Sequence, residues 1–389
     1  MAGFVGLSAF AASAQNLEKL AEANNGFAFN LLKQIAKEQP TQNIFISPFS
    51  VSTALQMLDN GASGKTKSEI QSVLKTENLP PEKLNAAFKE LNQSLKSQTN
   101  VILDLANGIW YKKGFQLKPD FVAADKEFFQ AELAPVDFES PKSANIINDW
   151  ANKETRGKIS GVVSFPFPPL TRVILANAIY FKGKWETAFK KEMTEPRDFY
   201  LPNGNSKQTP MMQRDGKFNY QETADFQAVQ LPYKGGLRME LFLPKTNSNP
   251  QKLVEEFRGK NAWQKIENEF GERDGFVALP KFKMDYEVEL NDPLEALGMK
   301  QAFDDAANFS GISTMPLNIS EVKQKSFVKV DEEGTEAAAV TTITMLGSAI
   351  DMNRPKPFEM IVNRPFFFVI ADNQTQTILF MGIVNDPKP

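Results

Sequence analysis

Glu333-Gly334-Thr335-Glu336-Ala337-Ala338-Ala339-Val340-Thr341-Thr342 reads in two ways at once. The alanine run from Ala337 to Ala339 favours a helix by intrinsic propensity. Val340 to Thr344 is dominated by β-branched residues, which favour strands. With the two-residue period of a strand, one face carries Thr335, Ala337, Ala339, Thr341, Ile343, Met345 and Gly347. None of these is charged, so that face is fit for burial, while Glu336 opens the face that tolerates water. A segment that suits helix, loop or strand and has one buriable face is a candidate conformational switch.

The rest of the chain supplies sheets for such a switch to join. Ile44 to Ile46 is a short apolar strand, and Val101 to Tyr111 and Val173 to Phe181 read as longer ones. Gln227 to Pro244 reads as two strands turning at Lys234-Gly235-Gly236, and Phe276 to Leu290 as a further strand region. Phe358 to Val384 reads as two apolar strands around Asp372-Asn373-Gln374. Helical spacing is visible in Leu17, Leu20, Ala21, Phe27, Leu31, Leu32 and Ile35, and again from Val51 to Leu58 before Asn60-Gly61. Leu294 to Met299 reads as a short helix. No repeat and no Pro/Gly/Ser linker divides the chain, so these scattered strands predict one large α+β domain with non-local sheets.

Composition excludes most enzyme chemistry. The 389 residues are 42% hydrophobic and 23% charged, enough for a globular core, and contain no Cys and no His. Without them there is no thiol or Ser–His nucleophile, no disulfide and no thiolate- or imidazole-ligated metal. The net charge of -3 gives no field that would gather nucleic acid or anionic lipid. No run reaches the roughly 18 apolar residues needed to span a bilayer. Residues 1–14 read as a shortened signal peptide: Gly3 to Ala12 is apolar and small, and Ala12-Ser13-Ala14 resembles a cleavage site, although a basic start is missing. A secreted or otherwise extracytoplasmic protein, with residues 15–389 as one domain, is therefore expected.

Several motifs lose to plainer readings. Gly61-Ala62-Ser63-Gly64-Lys65-Thr66 has two residues between its glycines where a phosphate loop needs four, and it follows a helix, so it reads as a polar loop. Ser320-Glu321-Val322-Lys323 fits an S-x-x-K pattern but lacks a K-T-G partner and leads into a strand. Asn92, Asn308, Asn318 and Asn373 head N-x-S/T triplets, which matter only in a glycosylating pathway.

Asn43-Ile44-Phe45-Ile46-Ser47-Pro48-Phe49-Ser50 and Asn177-Ala178-Ile179-Tyr180-Phe181-Lys182-Gly183-Lys184-Trp185 resemble the early and central signatures of the serpin family. Leu279-Pro280-Lys281-Phe282, Phe309-Ser310-Gly311-Ile312, Asn363-Arg364-Pro365-Phe366 and Phe380-Met381-Gly382 follow in that family's order, so the resemblance covers about residues 16–387. It implies an α+β fold of three β-sheets and eight or nine helices, with a reactive loop at about 332–357. It also implies an inhibitor of serine proteases that is cut in this loop, holds the protease as an acyl-enzyme, and inserts the loop into its central sheet. The hinge would be Glu332, Glu333, Gly334, Thr335, Glu336, Ala337, Ala338 and Ala339, whose small residues match inhibitory members. Counting family loop lengths puts the scissile bond between Ser348 and Ala349, with Met345, Leu346, Asp351 and Arg354 as alternatives. The first of these would suit an elastase-like or subtilisin-like protease, Leu346 a chymotrypsin-like one, and Arg354 a trypsin-like one. Ser47, Ser50 and Asn177 match polar residues beneath the point where the sheet parts, and Trp185 the aromatic where the hinge enters. Lys281 and Glu332 match a bridging pair. Gln324 stands where many serpins have His, which removes a pH-responsive group. Lys83, Lys89 and Lys96 are interspersed with acids, so no glycosaminoglycan patch and no cofactor is indicated. The reading is a monomer with no catalytic group of its own. The rival is a non-inhibitory chaperone, carrier or storage protein of the same fold.

Overall fold

The computed structural model describes residues 2–98, 100–259, 261–335 and 356–389. Helix α1 (Ala2–Glu38) buries Leu20, Phe27, Leu31, Leu32 and Ile35 along the stripe seen in the sequence. It begins well before Leu17, where that stripe starts, and runs unbroken through Ala12-Ser13-Ala14. Strand β1 (Ile44–Ile46) leads into α2 (Pro48–Asp59), where the Ser47 hydroxyl accepts from the Ser50 amide as N-cap and Pro48 takes the first helical position. Every residue of α2 is buried. Next come α3 (Gly64–Leu74), α4 (Pro81–Ser97), β2 (Val101–Lys112), α5 (Pro119–Phe129), β3 (Glu132–Val136), α6 (Pro141–Glu154) and β4 (Val173–Lys184). Gly64, Lys65 and Thr66 open α3, which corrects the reading of that hexad as loop throughout.

The middle of the chain is strand-rich: β5 (Glu195–Tyr200), β6 (Ser206–Glu222), β7 (Phe226–Pro232) and β8 (Leu237–Pro244), the last two turning at Lys234-Gly235-Gly236. Then follow α7 (Pro250–Phe257), α8 (Ala262–Asn268), β9 (Gly271–Pro280), β10 (Phe282–Glu289), α9 (Asn291–Leu297), β11 (Glu321–Asp331) and the two-residue β12 (Gly334–Thr335). The C-terminal part holds β13 (Phe358–Ile361), β14 (Phe366–Asp372) and β15 (Ile378–Val384), one strand more than the sequence reading gave. Asn363-Arg364-Pro365 separates the first two, because proline cannot supply a ladder amide.

Hydrogen bonds join these strands into two sheets where three were expected. The larger has the order β1-β15-β14-β8-β7-β6-β9-β13, with β5 on β6. Two of the expected sheets merge because β6 is 17 residues long: Ser206 to Met211 pair β5, Met211 to Tyr220 pair β9, and Asn219 to Glu222 pair β7. The central sheet has the order β10-β11-β12-β4-β2-β3. The main core fills the space between the two sheets, with α2 beneath the central one. A second apolar cluster, including Trp110, Ile147, Ile159, Val162, Ala176 and Phe327, packs α6 and the segment after it onto the other face.

Candidate functional site

The central sheet contains a seam. Strands β4 and β11 are parallel and pair directly from Ile174↔Glu321 to Tyr180↔Phe327. Above that point they diverge, and β12 lies between them, antiparallel to both: Thr335 faces Gly183 and Val330, and Gly334 faces Lys184 and Asp331. The sheet is thus zipped along most of its length, with the first two residues of another strand wedged into its open end.

Gly334 fits there only as glycine. Its φ is +145°, and an added Cβ would lie 2.2 Å from the Gly183 carbonyl oxygen. Thr335 is wholly buried, and its hydroxyl is 2.9 Å from that of Tyr233. The Tyr233 ring stacks on Trp185 at 4.4 Å, and burial pushes its phenol well above the ordinary tyrosine range. Trp185 holds the turn before β12 twice: its indole Nε1 donates to the Asp331 carbonyl at 3.0 Å and its backbone amide to the Glu333 carbonyl at 3.0 Å. Glu332 is buried, and its carboxylate takes Lys281 Nζ at 3.0 and 2.9 Å and the Thr194 hydroxyl at 2.8 Å. Burial alone would raise its pKa. The bonds from Lys281, its own backbone and Thr194 outweigh that and hold it below the usual glutamate value. Glu333 reaches Lys191 at 2.7 Å on the surface.

Beneath the zipped part lies a buried network of neutral groups. Gln324 on β11 sits opposite Asn177 on β4, and its Nε2 donates to Asn177 Oδ1 at 3.0 Å across the seam. The same amide brackets the head of α2, donating to the Ser47 carbonyl at 3.0 Å and accepting from the Ser47 amide at 2.8 Å. Asn177 Nδ2 donates to Asn107 Oδ1 on β2 at 2.6 Å and to the Ser50 hydroxyl. The Ser47 hydroxyl is spent on the Leu379 carbonyl at 2.7 Å. One helix end therefore bolts both edges of the seam. No member of this network titrates.

The residues picked from the sequence thus fall into two groups. Ser47, Ser50, Asn177 and Gln324 meet under the seam; Trp185, Lys281, Glu332, Glu333, Gly334 and Thr335 meet at its open end. Glu336, Ala337, Ala338 and Ala339, and the cleavage candidates Met345, Leu346, Ser348, Ala349, Asp351 and Arg354, lie outside the described residues. Sequence reasoning missed Asn107, Thr194 and Tyr233. Of these only Tyr233 carried a signal, as the aromatic directly before a glycine hairpin.

A family model described as "Serpin (serine protease inhibitor)" matches residues 22–387. An uncharacterized serpin-like protein of Thermococcus kodakarensis is 39% identical over 379 residues, which cover 94% of this chain and 85% of that protein. The leukocyte elastase inhibitor of Sus scrofa is 35% identical, covering 95% of this chain and 100% of that one. The crystal structure of human thyroxine-binding globulin complexed with thyroxine superposes with a TM-score of 0.87 at 27% identity, over 96% of this chain and 100% of the other.

Proposed function

Because this chain belongs to the serpin family, we propose that it inhibits serine proteases as a single-use substrate whose cut loop becomes a strand of the central sheet. The observation that carries this reading is the register of Thr335 in the open end of the seam. Continued one for one, that register would set residues 336–345 opposite 182–173, along the whole of β4. The face that would turn inward is the uncharged one carrying Ala337, Ala339, Thr341, Ile343 and Met345.

Chain length explains why a cut is needed. The far end of the segment is anchored on β9 of the larger sheet, whose end leads straight to the Lys281 that holds Glu332 at the open end of the seam: Phe358 to Ile361 pair Gly275 to Ala278, and Arg273 donates to the Lys356 carbonyl at 3.2 Å. If residues 336–345 filled the seam, residues 346–355 would have to climb back past the full height of β4. That height is about 36 Å for a strand of this length. Ten residues stretch to at most about 33–36 Å. An uncut chain is at its limit, and a cut chain is free.

The chemistry belongs to the protease. Its serine oxygen attacks the carbonyl carbon of the scissile residue, the peptide nitrogen leaves as the new amino terminus, and an ester joins the two proteins. Insertion then carries the ester away from where it formed, and about 1 Å of misplacement in an active site costs roughly 100-fold in rate. The ester therefore outlives the protease's ability to hydrolyse it. Ser348–Ala349 remains the proposed bond, for elastase-like or subtilisin-like targets, with secretion or export as the proposed setting.

The rival is a carrier of the same fold. It is favoured by a cavity of about 1030 Å³ between α1, α8 and the turn at Asn373 to Gln376, with Arg238 at its floor. Incubation with elastase, subtilisin, chymotrypsin and trypsin separates the two. A band of higher mass that survives SDS supports inhibition, and mass spectrometry of the released C-terminal fragment reads the cleaved bond. Clean cleavage by all four proteases without such a band supports the carrier.

A further inference from the structure

The tail end of α2 sits in a buried polar cluster that neither the hinge nor the seam uses. Asp59 on α2 and Asp125 on α5 are wholly buried. A relay of amides runs between the helices: Gln56 Nε2 donates to Asn85 Oδ1 on α4 at 3.2 Å, Asn85 Nδ2 to Asn60 Oδ1 at 2.9 Å, and Asn60 Nδ2 to Asp125 Oδ1 at 3.2 Å. Asp59 is served from α3, by Gln71 at 3.2 Å and Lys67 at 3.5 Å. Acceptors nevertheless outnumber donors. Asp125 Oδ2, Asp59 Oδ1 and Gln56 Oε1 are all buried without a partner.

A buried acceptor left unpaired is costly, and more so when it is charged. A proton on Asp125 relieves the shortage, since it removes a charge and turns an acceptor into a donor. The surroundings offer no other remedy. The one ionisable group on α2 is Asp59, an acid already engaged by Lys67 of α3, and Lys89 on α4 is bonded to Glu127 of α5 at 3.3 Å. Asp125 has no ion pair among the described residues. Burial accordingly pushes its carboxyl up to about 8, with the Asn60 bond only partly opposing it. Asp59 is also raised by burial, against the pull of Lys67.

The other end of the same fully buried helix carries Ser47 and Ser50 into the seam. We propose that Asp125 is a pH-sensitive brake on the parting of β4 from β11: as a neutral acid it holds the tail of α2 between α4 and α5, and as an anion it loosens α2 and with it the bolt under the seam. The proposal rests on the inhibitory reading only for its biological use. The sign follows from linkage. A carboxyl whose folded value lies above its unfolded one stabilises the fold fully below about pH 4. That contribution is lost as pH rises to about 8, by up to about tenfold in the folding equilibrium per pH unit, and is constant above.

Hydrogen exchange on the intact, protease-free protein tests the brake, comparing wild type with Asp125→Asn between pH 6 and 9. After correction for intrinsic rates, wild-type protection at 174–180 and 321–327 should fall by about tenfold or more up to pH 8, while the variant stays flat. Equal slopes in the two proteins would overturn the proposal. Should the variant fail to fold, infrared spectroscopy of the wild type decides. A protonated carboxyl band that shifts on carbon-13 labelling of aspartate, which leaves the buried Glu240 unlabelled, is expected to persist at pH 7, and its absence there would refute the idea. Neither readout needs a target protease, so a failure to inhibit would sink the inhibitory reading and leave this one standing.

Discussion

If the protein inhibits as proposed, replacing Thr335 by Arg should turn it into a substrate. Thr335 has no exposed surface, it is flanked on both sides by backbone of β4 and β11, and its hydroxyl meets Tyr233 at 2.9 Å. A guanidinium there would be stripped of water beside the Trp185–Tyr233 stack, and the effective penalty for burying an unpaired ion is several kcal/mol. Taking about 3 kcal/mol as a floor, insertion slows by roughly 100-fold. Hydrolysis of the acyl-enzyme then overtakes it. Thr335→Ser is the matched control: it keeps the hydroxyl and loses one methyl group, worth about 0.8 kcal/mol, so insertion slows only about fourfold. The assay is the number of inhibitor molecules consumed per protease inactivated, read beside a denaturing gel. The Arg variant should be consumed many times over and leave only cleaved product, with the Ser variant close to wild type. Wild-type stoichiometry in the Arg variant would refute the insertion mechanism.

Three other changes probe the same machine. Gln324→Leu removes the 3.0 Å bond to Asn177, which exists only while β4 and β11 are neighbours, and orphans buried groups at a cost of about 1–3 kcal/mol each; the melting point of the uncut protein should fall more than that of the cut one, and an equal fall would count against the seam. Glu332, held below its ordinary pKa chiefly by Lys281 against the opposing effect of burial, contributes stability above about pH 4.5 that is lost as pH falls. Lys281→Met should flatten that acid limb of a pH–stability profile, and an unchanged limb would remove Glu332 from the account. At the far anchor, Phe358 stacks on Tyr220 at 3.7 Å, and Arg273 lies over Tyr220 at 5.3 Å. Tyr220→Ala should therefore free β13 and hasten loss of activity in uncut protein on storage, detectable as a growing heat-resistant fraction; equal storage lifetimes would show that this stack does not hold the anchor.

Some of this was legible in the sequence and some was not, for physical reasons. Ile44–Ile46 was readable because an apolar triplet ends at a capping serine followed by proline, and the β7–β8 hairpin because two glycines mark its turn. The family was readable because separate motifs keep their order over nearly the whole chain. Pairing between remote strands was not readable. Nothing local in Asn177 or Gln324, 147 residues apart, says that they face each other across a seam. Asn107 looked like any strand residue until its partner strand supplied the Asn177 amide. The buried state of Asp125 was hidden as well: in helix α5 it opens the charged run Asp125-Lys126-Glu127, and only the packing of α2 and α4 decides which acid loses its water.

The zipped seam has a consequence for how such a protein would be used. Under the proposed mechanism the seven parallel pairings between β4 and β11 would give way to a strand bonded on both sides, and a cut loop would not be rejoined. Each molecule is then a fuse rather than a valve. Protection would be set by how many unspent copies are present, not by how tightly each one binds, and a cell that relies on it must replace what it fires.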